Sequence, residues 1–281
     1  MGYMDGNELE STDSVWKNVT SPPSLQVSNL SVKRSGSLII KDIDFSIKQG
    51  EFVGLVGPNG SGKTTLILTI LGILKPFTGQ VKLYGHEPNS KDLHGRIAWV
   101  SQAAANLPAN IRITVRELVK LGTLKGLGID LLLRRSNVNE VNEAIDLVGL
   151  REYADTSISK LSGGQRQRAV IARALASKAE FILLDEPLVG IDRDSRNALL
   201  KFLDGITHNT GTTILMVSHD ITAMRRSTHR IIYLEETIQF DGRTEDFPDL
   251  NIIAELRGIK PIHDEIHDID SSDCEVRLEE E

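Results

Sequence analysis

Cysteine is nearly absent from this chain of 281 residues, and long apolar runs are missing. The single cysteine, Cys274, cannot form a disulfide within the chain, which excludes the disulfide-rich extracellular class and favours a reducing compartment. No stretch approaches the roughly 18 consecutive apolar residues of a membrane-spanning helix, and no secretory signal opens the sequence. The sequence therefore predicts a soluble, cytoplasmic protein that is long enough for one large α/β domain.

Basic residues are scarce at the C-terminal end of the chain, where the negative charge is concentrated. From residue 262 onward there are nine acidic residues and one basic residue, so this tail has a charge of −8, whereas the whole chain has a net charge of −7. The other 261 residues are then close to neutral, at +1. A near-neutral body argues against a nucleic-acid surface, which needs a clustered basic face. We expect the tail to be a solvated extension.

The order of the predicted elements indicates an α/β fold with an inserted helical region. Polar residues at 1–23 lack periodicity and predict a mobile leader. Strand-like runs follow at 25–32, 39–47, 51–56, 81–83 and 97–100. From about 112 to 160 the pattern is helical, with one apolar face formed by Val141, Ala144, Ile145 and Val148. Strands at 181–185 and 213–217, a helix between them and a hairpin at 231–240 complete one domain, 24–242, before a C-terminal extension, 243–281.

A phosphate-binding loop is predicted between the strand at 51–56 and an apolar helix. Its pattern, G-x-x-x-x-G-K-[ST], is formed by Gly57, Pro58, Asn59, Gly60, Ser61, Gly62, Lys63 and Thr64, followed by Thr65. The glycines let backbone N–H groups close around phosphate oxygens, and the helix N-terminus favours the negative charge. We expect Lys63 to reach the β- and γ-phosphates and Thr64 to place its hydroxyl on Mg²⁺.

Two consecutive carboxylates end a second buried strand. The run 181–184 is apolar and Asp185 and Glu186 follow it, at the strand end where α/β sheets bind ligands. We predict that Asp185 holds Mg²⁺, directly or through water, and that Glu186 orients or deprotonates the attacking water. The alternative, a solvated strand end without a ligand, is disfavoured by the phosphate loop upstream.

Residues 161–165 read Leu-Ser-Gly-Gly-Gln, and with the motifs above they give the chain its family resemblance. From about 25 to 242 the chain resembles the nucleotide-binding subunit of an ATP-binding cassette (ABC) transporter. The resemblance implies a P-loop NTPase core with a mixed sheet, an antiparallel β subdomain and an inserted α-helical subdomain. It also implies that Ser162, Gly163, Gly164 and Gln165 contact the γ-phosphate of an ATP held by a second copy, so that two ATP molecules are sandwiched in a dimer.

Three further residues acquire a role only through this resemblance. Gln102 matches the glutamine that touches Mg²⁺ and the attacking water and links the core to the helical subdomain. His219 matches the switch histidine that contacts the γ-phosphate. Asp192 matches the loop that connects the two active sites across the dimer.

The chain departs from the family where an aromatic residue usually stacks on adenine. Residues 30–36 contain no aromatic residue, and Arg34 falls near the expected position. A guanidinium can stack on a base, so we expect Arg34, or Val32, to cover the adenine. The alternative is that no side chain stacks there.

Within the family, several stretches look most like the subunits that energise uptake of zinc, manganese or iron(II). This similarity implies partners: integral-membrane permease subunits, an extracytoplasmic solute-binding protein acting indirectly, and no nucleic acid. It places the chain at the cytoplasmic face of the membrane. In the tail, His263, His267 and Cys274 could bind a borderline divalent metal, although a charged solvated tail is the simpler interpretation.

Other functions of the same superfamily remain possible from sequence. The alternatives are an ABC ATPase for another substrate and a soluble iron–sulfur assembly ATPase. A translation factor would carry two such units, and a chromosome-maintenance ATPase would carry a long coiled coil between its motifs; the chain has neither feature.

Overall fold

A computed structural model of the chain describes residues 21–105, 112–124 and 138–248. Most of the predicted leader, part of the inserted helical region and the whole acidic tail, with His263, His267 and Cys274, lie outside the described residues. In the described part of the chain, no helix is long and apolar enough to cross a membrane.

The described residues form two sheets and six α-helices. The strands are β1 (Leu25–Arg34), β2 (Ser37–Ile47), β3 (Phe52–Val56), β4 (Thr78–Leu83), β5 (Ile97–Val100), β6 (Phe181–Asp185), β7 (Thr213–Ser218), β8 (Arg230–Glu235) and β9 (Thr237–Arg243). The helices are α1 (Lys63–Ile70), α2 (Val115–Leu121), α3 (Val138–Leu147), α4 (Gly163–Ala176), α5 (Arg193–Thr210) and α6 (Ile221–Ser227).

The larger sheet has the order β5-β6-β7-β3-β8-β9. Its first five strands are parallel, and only β9 pairs antiparallel, with β8. The smaller sheet, β2-β1-β4, is entirely antiparallel. These sheets and the helical insertion confirm the predicted α/β fold with a mixed sheet, an antiparallel subdomain and a helical subdomain.

Two hydrophobic cores pack on opposite faces of the larger sheet. Side chains alternate along β6, so Ile182 and Leu184 join the core on one face while Phe181 and Leu183 join the other. The first core is shared with the helical subdomain and α5, and the second with the smaller sheet and α1. Burial on both faces explains why the central strands are continuous apolar runs.

The helical subdomain packs around α4. The predicted apolar face of α3 is confirmed, since Val141, Ala144, Ile145 and Val148 are all buried. Helix α2 approaches α4 so closely that a Cβ on Gly122 would lie 1.9 Å from the carbonyl oxygen of Arg173.

The predicted hairpin at 231–240 is present as β8 and β9. The packed structure continues past residue 242, because Phe247 is buried and its ring contacts that of Phe240 edge-on, with centroids 5.1 Å apart. Phe247 therefore belongs to the same core as the strands that precede it.

Candidate functional site

The parallel direction of the central strands brings the predicted site residues to one edge of the sheet. Strands β6, β7 and β3 are neighbours, and each is followed at its carboxyl end by a predicted site element. Asp185 ends β6, His219 follows β7, and the phosphate loop follows β3. Gln102 lies two residues after β5, the neighbour of β6, and begins a short 3-10 helix. Residues far apart in sequence thus meet at one site.

The phosphate loop has glycine where no other residue fits. Gly57 has φ 157°, and a Cβ there would lie 2.1 Å from the carbonyl oxygen of Leu234 at the end of β8. Gly62 has φ 100° and would bring a Cβ to 2.9 Å from Ile40. The loop therefore packs tightly between the two sheets.

Helix α1 begins directly at Lys63, with Gly62 as its N-cap and no side chain bonded to its first turn. The first-turn N–H groups of a helix have no partner within the helix and attract anions. The Lys63 ammonium is buried and donates hydrogen bonds to the carbonyl oxygens of Gly57, at 2.8 Å, and Pro58, at 2.7 Å. These hydrogen bonds hold the Lys63 ammonium against the phosphate loop.

A cleft of about 510 Å³ opens above the loop. Its lining contains these predicted site residues: Arg34, Asn59, Gly60, Gly62, Lys63, Thr64, Thr65, Gln102, Asp185, Glu186 and His219. Three apolar residues that were not predicted, Ile39, Val189 and Val217, complete the described lining. Arg34 is exposed on the rim, whereas Val32 is fully buried in the core of the smaller sheet and is removed from the cleft. Of the two residues considered for adenine, only Arg34 lines the cleft.

Asp185 and Lys63 are buried charges of opposite sign that influence each other without a direct salt bridge. Burial raises the pKa of Asp185, and the nearby Glu186 carboxylate raises it further, while Lys63 acts in the opposite direction. Burial also lowers the pKa of Lys63, against the two carboxylates. The Oδ1 atom of Asp185 is buried, and no described residue hydrogen-bonds it. A cation at this oxygen would offset the cost of burying the charge.

Glu186 has an unusual backbone conformation for a residue with a side chain. Its φ is +52°, a left-handed conformation that costs about 1–3 kcal/mol for most residues other than glycine. Its N–H donates to the carbonyl of Val217 at 3.0 Å, and its Oε2 lies 2.9 Å from Nδ1 of His219. These two contacts fix the carboxylate at the edge of the cleft.

The Leu-Ser-Gly-Gly-Gln segment forms the start of α4 and does not line the cleft. Ser162 accepts a hydrogen bond from the N–H of Gln165, and the Gln165 side chain accepts one from the N–H of Ser162. This reciprocal cap uses the N–H groups of Ser162 and Gln165. The N–H groups of Gly163 and Gly164, at the helix N-terminus, are not used by the cap. The arrangement is suited to an anion that approaches from outside the chain.

Asp192 also lies away from the cleft lining. Its carboxylate caps α5 by accepting from the N–H of Ser195 at 2.9 Å, and this bond lowers its pKa. The loop before α5 lies against the start of α4: a Cβ on Gly163 would be 3.0 Å from the Gly190 carbonyl oxygen. The structure therefore places Asp192 in the loop beside the Ser162–Gln165 segment.

Sequence reasoning missed two features of the site. The contact between His219 and Glu186 joins residues 33 positions apart, and no local pattern announces it. The cap at Ser162 was present in the sequence as S-x-x-Q, a capping-box pattern that precedes a helix.

Comparison with known proteins agrees with this geometry. Residues 40–189 match the family model described as ABC transporter. The chain is 34% identical over 239 residues to the zinc uptake system ATP-binding protein ZurA of Listeria monocytogenes, covering 83% of this chain and 93% of that protein. It is 34% identical over 224 residues to the manganese transport system ATP-binding protein MntB of Halalkalibacterium halodurans, covering 80% and 88%.

A solved structure of a dimeric ATP-binding cassette in a post-hydrolysis state, bound to ADP and Pi, is also similar. It superposes with a TM-score of 0.64 at 28% identity and covers 79% of this chain and all of that one. With the phosphate loop, the paired carboxylates and the capped glycine segment in place, we conclude that the chain belongs to the ABC transporter family as an ATP-binding subunit that hydrolyses ATP.

Proposed function

We propose that this ATPase energises the uptake of a divalent metal ion, zinc, manganese or iron(II), through a membrane permease. The observation that carries the proposal is the identity of 34% over 83% of the chain to a protein named for zinc uptake, with similar identity to one named for manganese transport. In this proposal the chain binds permease subunits at the cytoplasmic face of the membrane, and a solute-binding protein delivers the ion on the other side.

We propose Mg²⁺ as the cofactor, held by the Thr64 hydroxyl, Asp185 and Gln102. All three residues line the cleft, and the buried Asp185 Oδ1 provides an oxygen ligand of the type that Mg²⁺ prefers. When bound, the ion would neutralise charge that develops on the phosphate oxygens. The cleft then divides into a phosphate side, with Lys63 and the first turn of α1, and a metal side, with Asp185.

Glu186 is the proposed general base. Its carboxylate lies on the cleft beside Asp185 and contacts His219 at 2.9 Å, which supports a fixed orientation for this role. The water would lose its proton to Glu186 as it attacks the γ-phosphorus, and His219 would keep the carboxylate in place and face the γ-phosphate. Lys63 and the N–H groups of α1 would hold the leaving phosphates.

We propose that two copies sandwich two ATP molecules. The N–H groups of Gly163 and Gly164, presented by the Ser162 and Gln165 cap, would bind the γ-phosphate held in the partner's cleft. Asp192 would connect the two sites from the adjoining loop. Because these contacts exist only in the closed dimer, ATP binding shifts the equilibrium toward closure, and hydrolysis reopens it. Permease helices gripped near Gln102 would convert closure into alternating access.

Removing the buried charge at Asp185 separates its metal role from its effect on stability. In the unfolded chain the Asp185 carboxyl loses its proton near its ordinary pKa of about 3.9. In the folded chain its pKa is higher, so there is a pH interval between the two values in which only the folded state keeps the proton. The free energy of unfolding therefore falls as pH rises through that interval. Without nucleotide, Asp185→Asn should be about 1 kcal/mol more stable than wild type at neutral pH and equal to it below the interval.

Urea unfolding over a pH series, with and without Mg²⁺ and ATP, measures this effect. The exposed Asp246→Asn variant serves as the control and should behave as wild type. Mg²⁺ with ATP should stabilise wild type more than Asp185→Asn, which keeps the phosphate contacts of Lys63 and α1. A variant that is less stable than wild type at every pH would contradict the assignment.

Glu186→Gln keeps the shape of the side chain and removes the base. We expect hydrolysis to fall by about 10²–10⁴-fold, the usual contribution of a general base, while ATP binding persists. Gel filtration with ATP should then detect a stable dimer. Glu235→Gln, in β8, is the matched control. Normal hydrolysis by Glu186→Gln would refute its role.

Arg34 is proposed to cover the adenine by stacking, without reading the edge of the base. Discrimination between ATP and GTP should then be weak, and Arg34→Ala should raise KM for both nucleotides by about 2–5-fold, equivalent to about 0.5–1 kcal/mol. Lys33→Ala is the control, because the Lys33 ammonium lies over the ring of Phe77. A strict preference for ATP would count against this role.

Metal uptake is tested in cells that lack the chain, starved of metals and complemented with wild type or Glu186→Gln. A selective fall in cellular zinc, manganese or iron that only wild type reverses would support the proposal and name the ion. Unchanged metal content would refute it and leave the ATPase in place. A pull-down without a membrane partner would then favour the iron–sulfur assembly alternative.

A further inference from the structure

A second cluster of metal-ligating side chains lies outside the ATP cleft. Asp204 and His208 are four residues apart near the C-terminal end of α5, and His229 immediately precedes β8. One potential ligand atom from each of the three side chains lies within 4.8 Å of the others. In the ATP cleft the ligands follow the carboxyl ends of the strands, whereas His229 stands at the beginning of β8, at the opposite edge of the sheet.

The two distances from Asp204 to the histidines match those between ligands of a tetrahedral site. Asp204 Oδ1 lies 3.3 Å from Nε2 of His229 and 3.3 Å from Nδ1 of His208. Ligand atoms bonded to one tetrahedral Zn²⁺ at about 2.0–2.1 Å are separated by about 3.3–3.4 Å. A charge-assisted hydrogen bond would be shorter, at about 2.7–2.9 Å. These two distances therefore fit ligands around one ion better than they fit two close ion pairs, and all three ligand atoms lie within 4.8 Å of one another.

The elements that carry these ligands are fixed. The N–H of His229 donates to the carbonyl of Phe52 at 3.1 Å, and its own carbonyl accepts from Thr244 at 3.2 Å. Its ring packs edge-on against Phe52 and against the ring of His208, whose centroid is 5.0 Å away. Asp204 and His208 share one face of a helix. Little rearrangement is needed to bring the three ligand atoms to one ion.

One local contact competes with metal binding. Nδ1 of His208 also lies 2.9 Å from the backbone carbonyl oxygen of Asp204. Coordination through Nδ1 would replace this hydrogen bond, but the carbonyl keeps its place in the helical ladder. The ring would then carry its proton on Nε2, which faces away from the ion. Metal binding would therefore cost one hydrogen bond, that of Nδ1 of His208, whose side chain is 60% exposed to water.

The ligand types and the nearby charges favour a metal that binds through coordination. A cleft of about 690 Å³ adjoins the cluster, with Asp204 and His229 on its wall beside Lys201, Arg226 and Arg243. These basic side chains, with Glu245 as the acidic residue nearby, oppose any divalent cation, and they disfavour most an ion held by charge alone, such as Mg²⁺ or Ca²⁺. Two imidazole nitrogens and one carboxylate are the ligands of borderline metals, which bind through coordination. The three-residue set leaves one tetrahedral position open to water or a small anion.

We propose that Asp204, His208 and His229 form a binding site for a borderline divalent metal, of which Zn²⁺ is the type. The ion would join the C-terminal end of α5 to the segment that begins β8. This site is separate from the proposed Mg²⁺ site, and the inference does not depend on whether the cargo is a metal.

Titration of the full-length chain with Zn²⁺, in competition with a chromophoric indicator and without nucleotide, tests this site. Because the tail carries His263, His267 and Cys274, all variants are made in a background where these are replaced by Ala, Ala and Ser. In that background His208→Ala, His229→Ala and Asp204→Asn should each weaken Zn²⁺ binding by at least about tenfold. His94→Ala, at an exposed histidine outside the cluster, should leave the affinity unchanged.

Co²⁺ provides a second readout, since its visible absorption reports coordination geometry. The background protein and His94→Ala should give the strong band of a tetrahedral complex, and the three cluster variants should lose it. His208→Ala lies on an exposed helix face and keeps the test valid if His229→Ala fails to fold. Circular dichroism and Mg²⁺-dependent ATPase activity without Zn²⁺ should match wild type in His208→Ala. Equal Zn²⁺ affinity in background and His208→Ala proteins would overturn the proposal.

Discussion

The site depends on three neighbouring strands that run in the same direction. Strands β6, β7 and β3 are parallel and buried on both faces, so their carboxyl ends meet at one edge and cannot shift independently. Asp185, His219 and the phosphate loop come together for this reason alone. The two cores that bury the sheet therefore also determine the geometry of the ATP cleft, although few of their side chains line it.

The N-termini of α1 and α4 differ in how their first N–H groups are capped. Helix α1 has glycine at its cap, so its first turn is open to the cleft of its own chain. Helix α4 has a reciprocal cap between Ser162 and Gln165 that uses two donors and presents the two glycines between them. The first arrangement favours enclosure of a whole phosphate chain, and the second favours contact with the exposed end of one. Both follow from the chemistry of helix ends.

Much of the fold was predictable from local sequence. The central strands are continuous apolar runs, the stripe of α3 has helical spacing, and the phosphate loop has a fixed pattern. The site was less predictable where contacts are long-range. The pairing of His219 with Glu186 depends on the adjacency of β6 and β7. The Asp204, His208 and His229 cluster depends on the approach of the C-terminal end of α5 to the residue that precedes β8. The spacing of Asp204 and His208 is visible in the sequence, but their meeting with His229, like that of His219 with Glu186, is produced by tertiary packing.

Glu186 has a left-handed backbone, so the orientation of its carboxylate depends on the pairing of β6 with β7. Its bond to the Val217 carbonyl, the hydrogen bond that its own carbonyl accepts from Val189 and its contact with His219 oppose a return to a relaxed conformation. On heating, separation of β6 from β7 at this edge would release the residue while the rest of the core stayed packed. The chain would then remain compact and lose the orientation of one side chain, so inactivation would precede melting.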